Sequence, residues 1–110
     1  MKHATVLEKY KLTYVDALAS AIMERTENEV NLQSDYFPLF RMYAVLCLVK
    51  GEHTTAEDVH DAWVAWASQY RPYHKSSVPF DELPVEIQQL DDVYVDAIRF
   101  YASGVMEASG

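Results

Sequence analysis

The sequence predicts an all-α domain, a compact bundle of four main helices with one short helical turn. Apolar residues recur at steps of three and four along most of the chain, which is the period of an amphipathic helix. No segment shows the alternation of apolar and polar residues that is typical of a half-buried strand. The chain has 110 residues, half of them hydrophobic, and this is enough for one core. We therefore expect a single domain over residues 1–104 and a tail over residues 105–110.

The first helix is expected to begin at Thr5 or Thr13 and to end near Arg25. Thr13 followed by Asp16 has the spacing of a capping box, which favours a start or restart of the helix at that point. The apolar stripe that would face the core consists of Leu7, Tyr10, Tyr14, Ala17, Leu18, Ala21 and Ile22. The polar segment TENEVNLQSD, residues 26–35, has no periodicity and is predicted to be the first loop.

The second helix lies within YFPLFRMYAVLCLVKG, residues 36–51, and is apolar on nearly every side. Pro38 suits the first turn of a helix, and Gly51 suits its end. A helix of this kind must be enclosed, either as the centre of the domain or by a second copy of the protein, so the pattern also favours a homodimer. Cys47 is the only cysteine, which excludes an internal disulfide, and it is expected to behave as a small hydrophobe.

The third helix is predicted to begin with a capping box, formed either by Thr54 with Glu57 or by Thr55 with Asp58. Its expected buried face consists of Val59, Ala62, Trp63, Trp66 and Tyr70. Its expected exposed face consists of Glu57, Asp61 and Ser68, with His60 on the border. Two prolines then mark residues 71–80 as a loop.

A short helical turn is predicted over about residues 84–90, beginning at Pro84. Asp91 or Asp92 is expected to cap the last helix, and Gly104 is expected to end it. Helix capping would account for both aspartates without any further role. The buried face of the last helix is predicted to consist of Val93, Tyr94, Ala97, Ile98, Phe100 and Tyr101.

Charge is distributed unevenly along the chain. Residues 1–51 carry six Lys and Arg against six Asp and Glu, whereas residues 52–110 carry three against eleven, which accounts for the net charge of −8. An acidic surface repels a phosphate backbone, so nucleic-acid binding is not expected. The N-terminal segment has charges throughout, and the longest apolar run, residues 42–49, is far shorter than the roughly 20 residues of a membrane helix. We therefore expect no signal sequence, no membrane contact and a cytoplasmic location.

The candidate site is the stretch VHDAWVAWASQYRPYHKSSVPFDEL, residues 59–83, which holds both tryptophans and two of the four histidines. Aromatic residues beside a proline-containing loop could line a pocket for a flat ligand, although the same residues at helical spacing also fit a plain core. His60 could be a general base or a metal ligand. The alternative that we favour is that His60 hydrogen-bonds a loop carbonyl and holds residues 71–80 against the third helix.

Motifs for catalysis or metal binding are missing from the sequence. There is no glycine-rich phosphate loop, no nucleophile elbow and no His-Glu zinc helix. His60 has no histidine partner on its own helix, so neither a metal site nor a cofactor is predicted. The chain is therefore predicted not to be an enzyme, and a small hydrolase with His60 as its base is the weakest alternative.

Part of the candidate stretch resembles the ryanodine-receptor repeat domain, over about residues 59–104. The matching residues are H-x-x-W at His60 and Trp63, H-x-x-x-V-P-F-x-x-L at His74, Val78, Pro79, Phe80 and Leu83, and then Asp91 before a closing helix. The resemblance implies a helical fold that recognises a ligand, which could be nucleotide-derived. This chain lacks the family's Gly-Trp-x-Tyr-Gly segment and has Lys75 where the family has proline. A cleft would therefore be formed differently here, by Arg71, Pro72 and Tyr73.

Nearly the whole chain also resembles a family of short proteins encoded by actinobacteria and their phages. The matching segments are TVLEKY, PLFRMYAVLCLVKGEHTTAEDVHDAW and VPFDELPVEIQQLDDVYVDAIR. This resemblance implies an accessory protein, located in the host cytoplasm if a phage encodes it, and it implies no particular activity.

Together these patterns predict a non-enzymatic binding module for a small anionic ligand, which could be nucleotide-derived. The predicted ligand-binding residues are His60, Trp63, Arg71, Tyr73, His74 and Lys75. Arg71, His74 and Lys75 would attract a phosphate or carboxylate, although they could instead neutralise nearby acidic residues. The predicted structural clasp beneath them consists of Trp63, Trp66, Val78 and Phe80. The alternative is a host-directed protein that binds another protein through its acidic face or its apolar second helix.

Overall fold

The computed structural model describes residues 12–105, where short 3-10 turns and loops connect five α-helices. The helices are α1 (Tyr14–Arg25), α2 (Phe37–Val49), α3 (Ala56–Tyr70), α4 (Val85–Gln88) and α5 (Asp92–Phe100). The 3-10 turns are Gly51–His53, Phe80–Glu82 and Gln89–Asp91. Residues 12–105 contain no strand, and α4 is the predicted short turn, so the all-α fold is confirmed. The start at Thr5, the stripe residues Leu7 and Tyr10 and most of the tail lie outside the described residues.

Two capping boxes determine where α1 and α3 begin. The backbone N–H of Asp16 donates to Thr13 Oγ1 at 3.2 Å, and the Asp16 carboxylate accepts from the Thr13 N–H at 2.8 Å. Thr55 and Asp58 form the same pair of hydrogen bonds, at 3.2 and 2.9 Å. The alternative start with Thr54 as the cap is therefore wrong.

Asp16 also connects α1 to α2. Its side chain is buried and accepts a hydrogen bond from Arg41 Nε at 2.6 Å. Burial raises the pKa of Asp16, but the hydrogen bonds from Arg41 and Thr13 outweigh this effect and lower the pKa below its usual value. The carboxylate is thus held ionised between the cap of α1 and the second helix.

Helix α2 lies at the centre of the bundle, packed against α1, α3 and α5. Its buried residues are Phe37, Leu39, Phe40, Tyr43, Ala44 and Cys47. Burial raises the pKa of the Cys47 thiol, as expected for a cysteine that acts as a hydrophobe. The enclosure is incomplete, however, because Val45, Leu48 and Val49 are 47%, 54% and 75% exposed. Within the described residues, no helix is both long enough and apolar enough to cross a membrane.

The buried faces of α1 and α5 agree only in part with the predicted stripes. Tyr14 and Val93 were expected to be buried but are exposed, whereas Ala19, Met23 and Val95 are buried although the stripes did not include them. The middle of each stripe is buried as predicted, at Leu18 and Ile22 of α1 and at Ala97 and Ile98 of α5. The stripe therefore identifies the centre of each buried face but not its full extent.

The prediction that Asp91 or Asp92 caps α5 with its side chain is wrong. Asp91 occupies the N-cap position, but its backbone has helical angles, φ −80° and ψ −13°, and its side chain makes no capping hydrogen bond. The reason is that the preceding 3-10 turn runs directly into α5, whereas a side-chain cap needs extended backbone at this position. Helix α5 ends at Phe100, and a π-helical turn, Tyr101–Val105, continues it. The helical backbone stops within that turn at the predicted residue, because Gly104 adopts φ +90°.

Candidate ligand-binding cavity

A cavity of about 600 Å³ opens between α2, α3 and the chain that follows α3. Its volume falls within the range of small-molecule sites, roughly 300–1,000 Å³. The apolar and aromatic residues that line it are Tyr36, Leu39, Phe40, Tyr43, Trp63, Leu83, Ile87, Leu90 and Tyr94. The polar residues that line it are Asn28, His60, His74, Lys75, Ser76 and Asp91. A few polar groups in an otherwise apolar cavity are typical of a ligand site.

One edge of the cavity is formed by residues 71–79, which we call the strap. The strap is held to α3 by His60, whose Nε2 lies 2.6 Å from the carbonyl oxygen of Val78. Because a carbonyl oxygen can only accept, Nε2 carries the proton and donates it. The imidazole is buried and stacks on Trp63, with ring centroids 5.9 Å apart, and it lies 6.0 Å from the Phe80 ring. The prediction that His60 pins this loop to the third helix is confirmed.

His74 lies on the strap and meets Trp63 edge-on, with ring centroids 4.9 Å apart. Its Nδ1 accepts a hydrogen bond from the backbone N–H of Ser76 at 3.0 Å. Because Nδ1 accepts in this arrangement, the nitrogen of the ring that can donate is Nε2. Of the described residues that line the cavity, Lys75 is the one that contributes a fixed positive charge.

The structure does not bring Arg71 and Tyr73 into the cavity. Arg71 Nη1 donates to the Asp35 carboxylate at 3.0 Å and to the Tyr70 carbonyl at 2.7 Å. Its guanidinium group lies over the Trp66 ring, 5.2 Å from the centroid. Tyr73 is fully exposed and adopts a positive φ of 64°. Of the six predicted ligand-binding residues, the cavity thus contains His60, Trp63, His74 and Lys75.

Trp66 holds the first loop rather than the strap. Its Nε1 donates to the backbone carbonyl of Asp35 at 2.7 Å, and its ring stacks between Tyr36 and Tyr70, at 5.0 and 5.4 Å. The clasp predicted for Trp63, Trp66, Val78 and Phe80 is therefore divided between two loops. Trp63 is the tryptophan whose ring packs against the strap, through His74.

A polar cluster that the sequence analysis missed lies where α2 meets the start of α5. Tyr43 and Tyr94 have ring centroids 5.4 Å apart, and Asp91 lies beside them. Burial raises the pKa of Tyr43 well above its usual value, and the negative charge of Asp91 adds to this effect. The three side chains line the same cavity.

The carboxylate of Asp91 has no hydrogen-bond donor among the described residues. Burial raises its pKa to about 6; the neighbouring His60 imidazole opposes this shift, and the negative charge of Asp92 adds to it. Among the described residues, no side-chain nitrogen or oxygen is both sealed from solvent and unpaired. The Asp91 oxygens are therefore not sealed from solvent, and Asp91 is one of the residues that line the cavity.

This arrangement of residues is suited to binding. Aromatic rings provide flat surfaces for a ligand, Lys75 and His74 provide donors on the strap, and Asp91 provides acceptors from the 3-10 turn before α5. Residues 12–105 include no group of three or more His, Cys, Asp or Glu side chains that could hold a metal ion.

The chain matches a known protein-family model. A family model described as a domain of unknown function, DUF7701, matches residues 13–103. This segment contains all five helices and every residue that lines the cavity. No curated protein and no solved structure matches the chain.

The first prediction concerns the hydrogen bond that holds the strap. His60→Leu removes the donor and leaves the Val78 carbonyl unpaired, so we expect the free energy of unfolding to fall by about 1–2 kcal/mol in urea denaturation. We also expect trypsin to cut the Lys75–Ser76 bond several-fold faster in the folded protein. His53→Leu is the matched control because His53 is exposed. Equal cleavage rates in both variants would contradict the role of His60.

The second prediction concerns the ionised form of Asp91. Its pKa is raised from 3.8 to about 6, so the folded protein binds this proton more tightly than the unfolded chain, and stability falls as the pH rises through that interval. Asp91→Asn removes the free-energy cost of holding an ionised carboxylate at this half-buried position. We expect the variant to be more stable than the parent protein by about 1–2 kcal/mol at pH 7.5, and this difference to shrink towards pH 4.

Chemical denaturation across this pH range measures the effect of the Asp91 substitution. Asp92→Asn is the control, since Asp92 is exposed, and we expect it to change stability by less than about 0.5 kcal/mol. An Asp91→Asn protein that is no more stable at pH 7.5 would show that the carboxylate is well solvated or paired.

Proposed function

The chain belongs to the DUF7701 family, and we propose that it is a non-enzymatic module that binds a small molecule with a flat ring and an anionic group, such as a nucleotide. The observation that carries this proposal is the cavity of about 600 Å³, whose lining includes the aromatic residues Tyr36, Phe40, Tyr43, Trp63 and Tyr94. We further propose an accessory role in the cytoplasm of an actinobacterium or of a phage-infected host, which depends on the sequence resemblance alone.

The flat part of the ligand is inferred from the aromatic side chains. Tyr36, Phe40, Trp63 and Tyr94 approach the cavity from the first loop, α2, α3 and α5, respectively. Stacking of a base on an aromatic side chain contributes roughly 1–3 kcal/mol and tolerates different bases, because every base has a π face. Rings from four separate elements favour a planar ligand over a flexible chain.

The anionic part of the ligand is inferred from the strap. Lys75 supplies a positive charge to the cavity, and His74, whose Nδ1 accepts from Ser76, has its Nε2–H as a further donor. Charge-assisted hydrogen bonds of this kind bind phosphate and carboxylate groups. Because Arg71 is paired with Asp35, the anionic group would be held by Lys75 and His74 rather than by the basic trio that the sequence suggested.

The third prediction is that the protein binds at least one nucleoside monophosphate in isothermal titration calorimetry. We expect Trp63→Ala to weaken this binding by roughly tenfold or more through the lost stacking. Lys75→Gln is expected to weaken it by about three- to tenfold, because a charge-assisted hydrogen bond is lost. Thermal unfolding of each variant verifies that it is folded.

The matched control for these variants is Tyr73→Asn. Tyr73 lies on the same strap but is fully exposed, and asparagine tolerates its positive φ. We expect its affinity to stay within about twofold of the parent protein. Absence of heat for every nucleotide in the panel would overturn the proposed function.

A second candidate function is protein binding through α2, and the exposed residues of that helix favour it. Val45, Leu48 and Val49 form an apolar strip on the outside of α2. Beside the strip, a shallower cavity of about 410 Å³ lies between Met42 and Leu46 of α2 and Asp58, Asp61 and Ala62 of α3. Contiguous exposed apolar residues with a polar rim are typical of interfaces. We propose a homodimer as the occupant of this face, and a host protein as the alternative.

The fourth prediction is that the protein sediments as a dimer at high concentration and that Leu48→Lys makes it a monomer, because a charge would be buried in the interface. Val85→Lys is the control, since Val85 is also exposed and apolar but lies on α4. Analytical ultracentrifugation that finds a monomer at every concentration would exclude the homodimer, and a dimer that survives Leu48→Lys would place the interface elsewhere.

A further inference from the structure

Asp91 brings a carboxylate to a part of the cavity that is otherwise lined mainly by apolar and aromatic residues, with the His60 imidazole near enough to lower its pKa. It lies in the 3-10 turn before α5, directly after Leu90 and three residues before Tyr94, both of which line the same space. No described residue donates a hydrogen bond to its oxygens, yet these oxygens are not sealed from solvent, and Asp91 lines the cavity. A half-buried ionised group without a partner costs free energy. A ligand that donates hydrogen bonds to the carboxylate would offset this cost.

The surroundings of Asp91 restrict what kind of donor fits. Phe40, Tyr43 and Tyr94 pack against one another at centroid distances of 5.3–6.0 Å, which gives a wall of ring faces and edges beside the carboxylate. Such a wall favours a flat group that carries its donors on its edge. A planar nitrogen heterocycle meets both conditions, because its N–H groups lie in the plane of the ring.

The charge of the cavity also bears on the donor. A free ammonium group would pair with Asp91, but it would share the cavity with the positive charge of Lys75. A neutral ring with N–H donors avoids this repulsion, and a phosphate attached to the ring would be attracted to Lys75. Asp91 therefore favours a ligand with N–H donors on its ring, and Lys75 favours an anionic group attached to that ring.

We propose that Asp91 is the specificity-determining residue of the cavity and that it selects a ring with two adjacent N–H donors, as guanine presents at N1 and N2. This inference rests on the proposed function. A carboxylate has two acceptor oxygens and no donor when it is ionised, so two parallel N–H groups satisfy both oxygens. Adenine presents an N–H group beside a bare ring nitrogen, and this nitrogen would face a carboxylate oxygen and be repelled.

The test measures the affinities of guanosine, inosine and adenosine 5′-monophosphates at pH 8, where Asp91 is ionised. Inosine monophosphate is the matched ligand, because it keeps the N1–H donor and lacks the exocyclic amino group. We expect guanosine monophosphate to bind about tenfold more tightly than inosine monophosphate and about a hundredfold more tightly than adenosine monophosphate. Tryptamine carries an ammonium group on a flat ring system and has no phosphate. It therefore tests whether an ammonium group, rather than the N–H groups of a neutral ring, pairs with Asp91.

The variant that tests Asp91 directly is Asp91→Asn, whose amide offers one acceptor and one donor group in place of two acceptors. We expect it to weaken guanosine monophosphate binding by about tenfold or more and to reduce the preference over adenosine monophosphate to within about threefold. Asp92→Asn, which changes the exposed neighbouring carboxylate, should keep the preference within about twofold of the parent protein.

The possible results distinguish a failure of this inference from a failure of the proposed function. Equal binding of adenosine and guanosine monophosphates, an unchanged preference in Asp91→Asn, or tighter binding of tryptamine than of guanosine monophosphate would each overturn the inference and leave a ligand site in place. Absence of binding by every nucleotide and by tryptamine would overturn the proposed function, and the inference with it. Thermal unfolding of Asp91→Asn shows that any loss of binding occurs in a folded protein.

Discussion

The hydrogen bond from His60 to the carbonyl of Val78 is the interaction on which the cavity depends. It fixes the strap to α3, and the strap carries Lys75, the cationic residue of the cavity. An imidazole suits this position because its faces pack against Trp63 and Phe80 while its edge donates a hydrogen bond. Without this bond one wall of the cavity would no longer be held in place, although the helices could still pack around α2.

The cavity combines two charges whose effects on folding differ. Lys75 is exposed on the strap, where its charge costs little, whereas the carboxylate of Asp91 is half-buried and without a partner. Asp16 differs from Asp91, because the buried carboxylate of Asp16 accepts hydrogen bonds from both Thr13 and Arg41. A destabilising group that is kept beside a cavity is the pattern expected when binding, rather than folding, requires that group.

Local signals in the sequence predicted the parts of the fold that depend on neighbouring residues. Both capping boxes are examples, because the Thr13 and Thr55 boxes each lie within four residues. The orientation of the Arg71 side chain, towards Asp35 and away from the cavity, was not predictable. Asp35 is 36 positions away along the chain and becomes a neighbour only because α3 packs on the first loop. Asp91 was missed because helix capping explained it locally, and the 3-10 turn that prevents capping has no clear sequence signal.

The most direct test of this account is the NMR spectrum of the His60 imidazole in the protein without ligand. Long-range nitrogen–proton correlations report which ring nitrogen carries the proton, and nuclear Overhauser effects report which side chains surround the ring. The account predicts a proton on Nε2, with contacts from His60 to both Val78 and Phe80. A ring that exchanges between both tautomers and shows no contact with Val78 would contradict it, because the strap would then be free of α3.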